Sequence, residues 1–298
     1  MRDRVVCWLD GAVLPARDAR ISVLDHGLLY GDGVFEGIRF YHRRPFRLQA
    51  HLDRLQRSAR AIALPLPYGP DRLAQAVDET IRAFDGSDGY LRLVVTRGVG
   101  PMGVDPRGCE RPGLFVIAGA LQLIGAAERA RGARVVIAAT RRLPVDGLDP
   151  RVKSLNYLNA VLARIEANAA GADEAVLLNA QGRVAEASTE NLFVVQGGRL
   201  ITPPTSEGAL AGVTRDCVLE LAAAVGIDAV EAPLTPYDLY TADECFLTGT
   251  GAELIPVREI DGRQTSHCPG PVFSALATAF RRVIDAETQA PADEGQPA

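Results

Sequence analysis

The sequence predicts an α/β (α+β) protein with two domains. Short apolar runs bounded by turn residues alternate with stretches in which apolar residues recur every three or four positions, so both strands and helices are expected. The polar stretch at 125–134, GAAERARGAR, interrupts this pattern and is typical of a connector. With 298 residues, 47% of them hydrophobic, the chain can bury a large core. We expect a small domain at 1–122, a connector at 123–133, a large domain at 134–286 and a polar tail at 287–298.

The first domain is predicted to contain both element types. VVCWLDG at 5–11 indicates a strand that enters a hairpin, and GVFEGIRFY at 33–41 indicates a second strand with alternating apolar residues. Helical spacing predicts two amphipathic helices at 48–59 and 73–84, and strands are expected at 90–96 and 113–121.

The second domain is predicted to mix strands and helices in the same way. We expect strands at 134–139, 174–179, 191–195 and 244–248, and helices at 155–170, 213–225 and 271–285. The tail ETQAPADEGQPA is polar and contains proline, so we expect it to be disordered.

Charge and composition argue against several classes of partner. The net charge is −5 and the arginines are spread along the chain, which argues against a nucleic-acid partner. The five cysteines include no C-x-x-C pair, so neither a disulfide framework nor a metal site is expected. No run of 18 apolar residues occurs and the start, MRDRVVCWLDG, lacks a signal-peptide core, so we expect a cytoplasmic protein without membrane contact.

Lys153 is the only lysine among 32 basic residues. Arginine replaces lysine wherever a surface needs only solvated positive charge, but a guanidinium stays protonated and cannot form an imine with a carbonyl. The single lysine therefore predicts covalent amine chemistry; the alternative is a lysine that remains on the surface by chance.

Two residues downstream could assist such an amine. Tyr157 follows Lys153 by four residues, so its hydroxyl could lie near whatever the amine binds, although it could also be a core residue of the predicted helix. Glu186 lies among small residues before an apolar strand, where a carboxylate could keep a pyridine nitrogen protonated. The alternative for Glu186 is a solvated surface acid.

A phosphate could be held by the segment GALAGVTRDCVLEL at 208–221. Glycines and small residues precede Val213 and Thr214, and exposed amides at a helix N-terminus bind anions. Thr214 could instead be a plain N-cap. Thr250, in FLTGTGAEL, offers a second hydroxyl, and Arg54, in HLDRL, offers a charge.

Six segments together resemble the class IV aminotransferases, which have pyridoxal-phosphate (PLP) fold type IV. The segments are DHGLLYGDGVFEGIR, HLDRL, KSLNYLN, EASTENLF, LAGVTR and TGTGAEL, and the resemblance runs from about residue 5 to 262. It implies pyridoxal 5'-phosphate as cofactor, Lys153 as the catalytic Schiff-base residue and Glu186 as the partner of the pyridine nitrogen. It also implies cofactor contacts for Arg54, Tyr157, Leu210, Val213, Thr214 and Thr250.

Within this class, YGDGVFEGIR, YLRLV and MGVDP resemble the branched-chain group. The resemblance implies transamination between an L-branched-chain amino acid and 2-oxoglutarate by a homodimer or larger homo-oligomer. Met102 and Val104 would then lie in a loop that reaches the neighbouring subunit's site, and Arg92 would bind the second carboxylate of glutamate. The full set of implied substrate contacts is Tyr30, Phe35, Gly37, Arg39, Tyr90, Arg92, Met102, Val104 and Gly251.

Other activities of this class stay open as alternatives. Nothing between Arg97 and Arg107 supplies the Arg-x-His carboxylate trap of the D-amino-acid aminotransferases, which weakens that alternative. R-selective amine transaminases, aminodeoxychorismate lyase and a non-enzymatic PLP-binding scaffold are the others. The branched-chain group often has Trp-Gly-x-Tyr where this chain has AGALQLIG at 118–125, which indicates a broader or shifted specificity. For Arg39 and Arg92 the alternative is a structural salt bridge.

Overall fold

The computed structural model describes residues 5–120 and 131–289. The chain divides into two compact units, Met1–Gln122 with Arg281–Ala298, and Leu123–Phe280. The sequence assigned 281–286 to the large domain, whereas the structure groups these residues with the first unit. Residues 123–130 of the predicted connector and 290–298 of the predicted tail lie outside the described part of the chain.

The first unit contains a six-stranded antiparallel sheet with the order β2-β1-β6-β5-β3-β4. Its strands are β1 (Val6–Leu9), β2 (Ala12–Pro15), β3 (Gly33–Tyr41), β4 (Arg44–Pro45), β5 (Gly89–Thr96) and β6 (Gly113–Gly119). Asp10 and Gly11 both have positive φ, the conformation of a tight hairpin turn, so β1 and β2 pair as the sequence predicts.

Within the described residues 5–120 there are three α-helices: α1 (His26–Tyr30), α2 (Leu48–Ala61) and α3 (Pro70–Ala83). The two long ones were predicted, and they bury Leu52 and Leu55 against β3, and Leu73 and Val77 against β1 and β6. All nine residues of β3 are buried, so this strand is covered on both faces and lacks the exposed face that alternation normally indicates.

The second unit contains a nine-stranded mixed sheet with the order β12-β11-β10-β13-β14-β7-β8-β9, and β15 pairs with β14. Its strands are β7 (Ala133–Ile137), β8 (Glu174–Leu178), β9 (Val184–Ala187), β10 (Asn191–Gln196), β11 (Arg199–Thr202), β12 (Ala229–Glu231), β13 (Glu244–Gly249), β14 (Glu253–Ile260) and β15 (Arg263–Gln264). β7 lies between β14 and β8 and is parallel to both, and β11 is parallel to β12.

The helices of the second part of the chain are α4 (Leu158–Ala169), α5 (Val213–Ala224), α6 (Pro236–Tyr240) and α7 (Pro271–Thr288). α4 buries three alanines, Ala160, Ala163 and Ala167, next to β8, so helix and sheet approach closely. α5 packs on β12 and β13. No helix in the described ranges is both long and apolar enough to cross a membrane.

Two helix ends differ from the sequence prediction. α4 begins at Leu158 instead of 155, so Lys153 and Tyr157 lie in the irregular segment before it. α7 continues to Thr288, whose side chain is buried and donates a hydrogen bond to the Ile284 carbonyl. Glu287 and Thr288, where the sequence predicts the start of a disordered tail, therefore belong to the helix.

Candidate active site

Lys153 and Tyr157 lie together in the segment that precedes α4. Nζ of Lys153 donates a hydrogen bond of 3.1 Å to the Tyr157 hydroxyl. Tyr157 is half-buried and lies outside the helix, so the alternative of a core residue on an amphipathic helix is wrong. The structure thus brings this amine and this hydroxyl together in an irregular segment, where the spacing argument had expected a helical turn.

Glu186 is buried on β9 and surrounded by hydrogen-bond donors. Its Oε1 pairs with Nη2 of Arg142, and its Oε2 accepts from the Asn191 side-chain amide at 3.1 Å and from the Leu210 backbone amide at 2.9 Å. A carboxylate that is 5% exposed and held by three donors is not a solvated surface acid, so that alternative is wrong.

Arg142 connects the environment of Glu186 with that of Lys153. Its guanidinium pairs with Glu186, while the same residue lines a small cavity together with Val152, Ser154 and Tyr157. Arg142 is therefore a neighbour both of Glu186 and of the segment that carries Lys153.

The N-terminus of α5 carries the predicted phosphate contacts. Gly212 is the N-cap, Val213 is the first helical residue and Thr214 the second, and Gly212 makes no side-chain cap hydrogen bond. Thr214 is buried inside the helix, so its interpretation as an N-cap is wrong. Backbone amides at a helix N-terminus next to a hydroxyl favour an anion. Thr250 and Gly251 lie in the turn between β13 and β14.

Arg54 lies in the first unit, where it forms a buried ion pair. Its Nε and Nη2 donate to the two carboxylate oxygens of Glu36 at 2.8 and 2.7 Å. His51 contacts Glu36 through Nδ1 at 2.8 Å. Burial alone would raise the pKa of Glu36, but the charge and hydrogen bonds of Arg54, together with His51, lower this pKa to about 2.

Five predicted substrate residues share one face of the β3–β5 pair. Gly37 lies opposite Arg92 and Arg39 lies opposite Tyr90 in the antiparallel register, and Phe35 lies two residues before Gly37. Side chains two apart on a strand, and side chains opposite each other on paired strands, point to the same face. The Arg92 guanidinium stacks 3.8 Å above the centre of the Phe35 ring, and the Arg39 guanidinium lies 4.7 Å from the Tyr41 ring centre.

The remaining predicted substrate residues lie at an exposed edge of the first unit. The Tyr30 hydroxyl accepts a hydrogen bond of 2.6 Å from the Gly103 amide, which ties α1 to the loop after β5. In that loop Met102 is 83% exposed and Val104 is 80% exposed. Large apolar side chains this exposed are typical of a surface that contacts another protein.

The part of the chain that carries these residues matches a known protein family. The model of the family described as amino-transferase class IV matches residues 33–260, a range that includes β3, Lys153, Glu186 and the N-terminus of α5.

This chain belongs to the class IV aminotransferases.

Individual relatives of this class IV aminotransferase span nearly its whole length. A Methanocaldococcus jannaschii protein, described as a predicted branched-chain-amino-acid aminotransferase, is 52% identical over 278 residues, which cover 93% of this chain and 95% of the relative. The crystal structure of the Thermoproteus uzoniensis branched-chain aminotransferase with norvaline has a TM-score of 0.89 and 38% identity, and the match covers 95% of both chains.

A further structural relative was crystallised in its PLP form. The branched-chain amino acid aminotransferase from Thermobaculum terrenum, in this holo form, has a TM-score of 0.87 and 31% identity, and the match covers 96% of both chains. The predicted family, the predicted fold and the assignment as a PLP-dependent aminotransferase are thereby confirmed.

Sequence reasoning missed Arg142 and Asn191, which donate to Glu186, and Gly212, which lies against Asn191. Arg142 lies 44 positions before Glu186, and an arginine among many gives no local signal. Asn191 and Gly212 fall within the EASTENLF and LAGVTR segments, yet neither was assigned a role. The signal that could have found Gly212 is a glycine directly before a predicted helix that binds an anion.

Proposed function

We propose that this enzyme transfers amino groups between L-branched-chain amino acids and 2-oxoglutarate in a ping-pong reaction. The observation that carries this proposal is the shared face of β3 and β5, where the aromatic ring of Phe35 lies beside the guanidinium of Arg92. Such a face offers apolar contact for an aliphatic side chain and a planar guanidinium that can donate two hydrogen bonds to a second carboxylate. Relatives named as branched-chain aminotransferases support the amino-acid class.

The side chains of the second unit fit pyridoxal 5'-phosphate. An amine on Lys153, a buried carboxylate on Glu186 and the N-terminus of α5 match its aldehyde, ring nitrogen and phosphate. When bound, this cofactor supplies a reactive aldehyde and an electron-withdrawing ring. Leu210 would contact the ring, and Val213, Thr214 and Thr250 would hold the phosphate.

Lys153 is proposed to have two tasks at its Nζ atom. The amine would hold the cofactor between turnovers, and when free it would accept the α-proton of the amino acid and return a proton later. The Tyr157 hydroxyl, 3.1 Å away, orients the amine through a hydrogen bond. An arginine could not perform the covalent task, which is consistent with the retention of a single lysine.

Substrate recognition is proposed to use the first unit. Arg92 would bind the second carboxylate of glutamate, and Tyr90 would contact the α-carboxylate. Arg39, Gly37 and Phe35 would complete the pocket wall. Replacement of a planar, doubly donating arginine by lysine is not conservative at such a site.

A homodimer or larger homo-oligomer is part of this proposal, and two exposed apolar surfaces support it. The loop with Met102 and Val104, next to Tyr30, would reach the neighbouring subunit's site. On α4, large apolar residues form an exposed stripe at helical spacing, namely Leu158, Val161, Leu162 and Ile165. Light scattering after size-exclusion chromatography tests this part, and a monomer would contradict it. The cytoplasmic location stays a prediction.

The activity is tested by incubating the purified enzyme with PLP, L-leucine and 2-oxoglutarate and measuring glutamate. We expect glutamate from L-leucine, L-isoleucine and L-valine but not from D-leucine. Lys153→Ala should abolish turnover, whereas Arg199→Ala, at a half-exposed surface position, should retain it. Retained steady-state activity in Lys153→Ala would contradict the role of the lysine.

The same assay separates the alternatives that the sequence left open. A D-amino-acid aminotransferase would form glutamate from D-leucine, and an R-selective amine transaminase would consume an R-amine with an oxoacid. A lyase of the aminodeoxychorismate type would release pyruvate from aminodeoxychorismate without making glutamate. A scaffold would bind PLP and turn over none of these substrates. The segment 118–125, which bears on specificity, is described only at 118–120.

A further inference from the structure

Asn191 lies at the start of β10 and contacts two other parts of the second unit. Its buried side-chain amide donates to Oε2 of Glu186 at 3.1 Å and to the backbone carbonyl of Leu210 at 2.9 Å. The Leu210 amide itself donates to Oε2 of Glu186 at 2.9 Å. Three residues from β9, β10 and the segment before α5 are therefore joined in one closed set of hydrogen bonds.

The other end of the Asn191 side chain lies against Gly212, the N-cap of α5. A Cβ built on Gly212 would overlap Oδ1 of Asn191. Gly212 has φ −75° and ψ 131°, an extended conformation that most residues adopt without strain. The backbone conformation therefore does not require glycine here, whereas the contact with Asn191 does, because no side chain fits into that space.

Arg142 ties the same segment to Glu186 at its other end. Its Nη2 pairs with Oε1 of Glu186, and its Nε donates to the Gly208 carbonyl at 3.0 Å. The segment from 208 to 212 is thus bound near its start by Arg142 and near its end by Asn191, and Glu186 contacts both. This arrangement fixes the position of the α5 N-terminus relative to the Glu186 carboxylate.

We propose that Asn191 is a positioning residue that sets the separation between Glu186 and the N-terminus of α5. This inference rests on the proposed function, which assigns Glu186 to the ring nitrogen of the cofactor and the α5 amides to its phosphate. Ring nitrogen and phosphate belong to one small, stiff molecule, so both contacts are good only when the protein holds the two groups at a matching separation.

The experiment compares PLP affinity in Asn191→Ala, Gly212→Ala and the double variant. PLP is titrated into each full-length apo protein and followed by the absorbance of the bound cofactor. Asn191→Ala should weaken binding about tenfold, since it removes a donor to a buried carboxylate. Gly212→Ala should weaken binding to a similar extent by displacing Asn191. In the Asn191→Ala background, Gly212→Ala should add little, because the obstructing side chain is already gone.

A matched control and a stability measurement separate positioning from general damage. Asn168→Ala changes an exposed asparagine on α4 and should bind PLP like the unmodified protein. Thermal unfolding of each apo protein shows whether a variant is only less stable. Positioning predicts weaker PLP binding in variants whose apo protein unfolds at nearly the same temperature as the unmodified apo protein.

The outcomes distinguish this inference from the proposed function. If the unmodified protein does not bind PLP, the proposed function fails. If it binds PLP and Asn191→Ala binds equally well, only the role of Asn191 is refuted. The role of Asn191 is also refuted if Gly212→Ala weakens PLP binding by the same factor in the unmodified protein and in Asn191→Ala. The glycine would then act independently of the asparagine.

Discussion

The hydroxyl of Tyr90 lies directly against Gly37, so that a Cβ on this glycine would overlap the hydroxyl oxygen. The two residues belong to neighbouring antiparallel strands, β5 and β3, and are on the face that also carries Arg39 and Arg92. The absence of a side chain at Gly37 lets the Tyr90 ring lie across the strand. The glycine therefore decides where the tyrosine hydroxyl lies on the proposed substrate face.

Gly37→Ala is expected to displace Tyr90 and to lower kcat/KM for L-leucine about 10- to 100-fold, because small displacements at a substrate site are costly. PLP affinity should stay unchanged, since the proposed ring contacts are in the second unit. Steady-state kinetics and PLP titration measure both effects. Gly69→Ala is the matched control, because nothing lies within 4 Å of a Cβ at that position. Unchanged kcat/KM in Gly37→Ala would contradict the proposed face.

Tyr157→Phe is expected to lower kcat roughly tenfold, because it removes the hydroxyl that accepts the hydrogen bond from Lys153. KM for L-leucine should change less, since the proposed contact is with the catalytic amine. Tyr237→Phe, at a tyrosine that is 72% exposed on α6, should leave both constants unchanged. A kcat equal to that of the unmodified enzyme would show that the hydroxyl does not assist the amine.

Glu36→Gln is expected to destabilise the protein at neutral pH, because it leaves the buried Arg54 guanidinium without its counter-charge. The pKa of Glu36 is about 2 in the folded protein, below the usual 4.5, so its contribution is present above pH 4.5 and is lost as the pH falls towards 2. That contribution is roughly 3 kcal/mol of unfolding free energy.

Urea unfolding between pH 3 and pH 7 measures this difference. The difference in unfolding free energy between the unmodified protein and Glu36→Gln should be largest near pH 7 and should become smaller as the pH is lowered. Glu110→Gln, at an exposed position of the same unit, is the control. A difference in unfolding free energy that does not depend on pH would contradict the assigned ionisation of Glu36.

Glu190→Gln is expected to stabilise the protein at alkaline pH. Burial and the neighbouring Glu174 carboxylate raise the pKa of Glu190 to about 8, and Thr189 and Arg164 offset only part of this effect. A raised pKa means that the protonated acid stabilises the fold below pH 4.5 and that this stabilisation is lost as the pH rises through 8. The neutral amide of glutamine does not ionise, so Glu190→Gln does not lose this stabilisation as the pH rises.

Melting temperatures at pH 5 and pH 9 test this expectation. Glu190→Gln should melt close to the unmodified protein at pH 5 and above it at pH 9. Glu220→Gln, at an exposed position on α5, should show no such difference. A lower melting temperature for Glu190→Gln at pH 9 would show that the carboxylate is ionised and stabilising in the folded protein.

Local sequence patterns were sufficient for the long elements of the fold. The predicted strand at 33–41 coincides with β3, and helical spacing identified α2, α3 and α5 to within a few residues. Periodicity failed for short or irregular elements. β9 and β12 have four and three residues, too few to show an alternation, although β9 carries Glu186.

The sequence by itself determined the chemistry that we propose. A single lysine, an acid among small residues and a glycine-led helix start indicated covalent amine chemistry, a ring-nitrogen partner and an anion site, because these depend on residue type and local spacing. Only the tertiary structure decided which side chains support them. Arg142 and Asn191 meet at Glu186, and Tyr90 meets Gly37, through contacts between separate strands and loops. Such contacts depend on register and packing in three dimensions, which no local pattern contains.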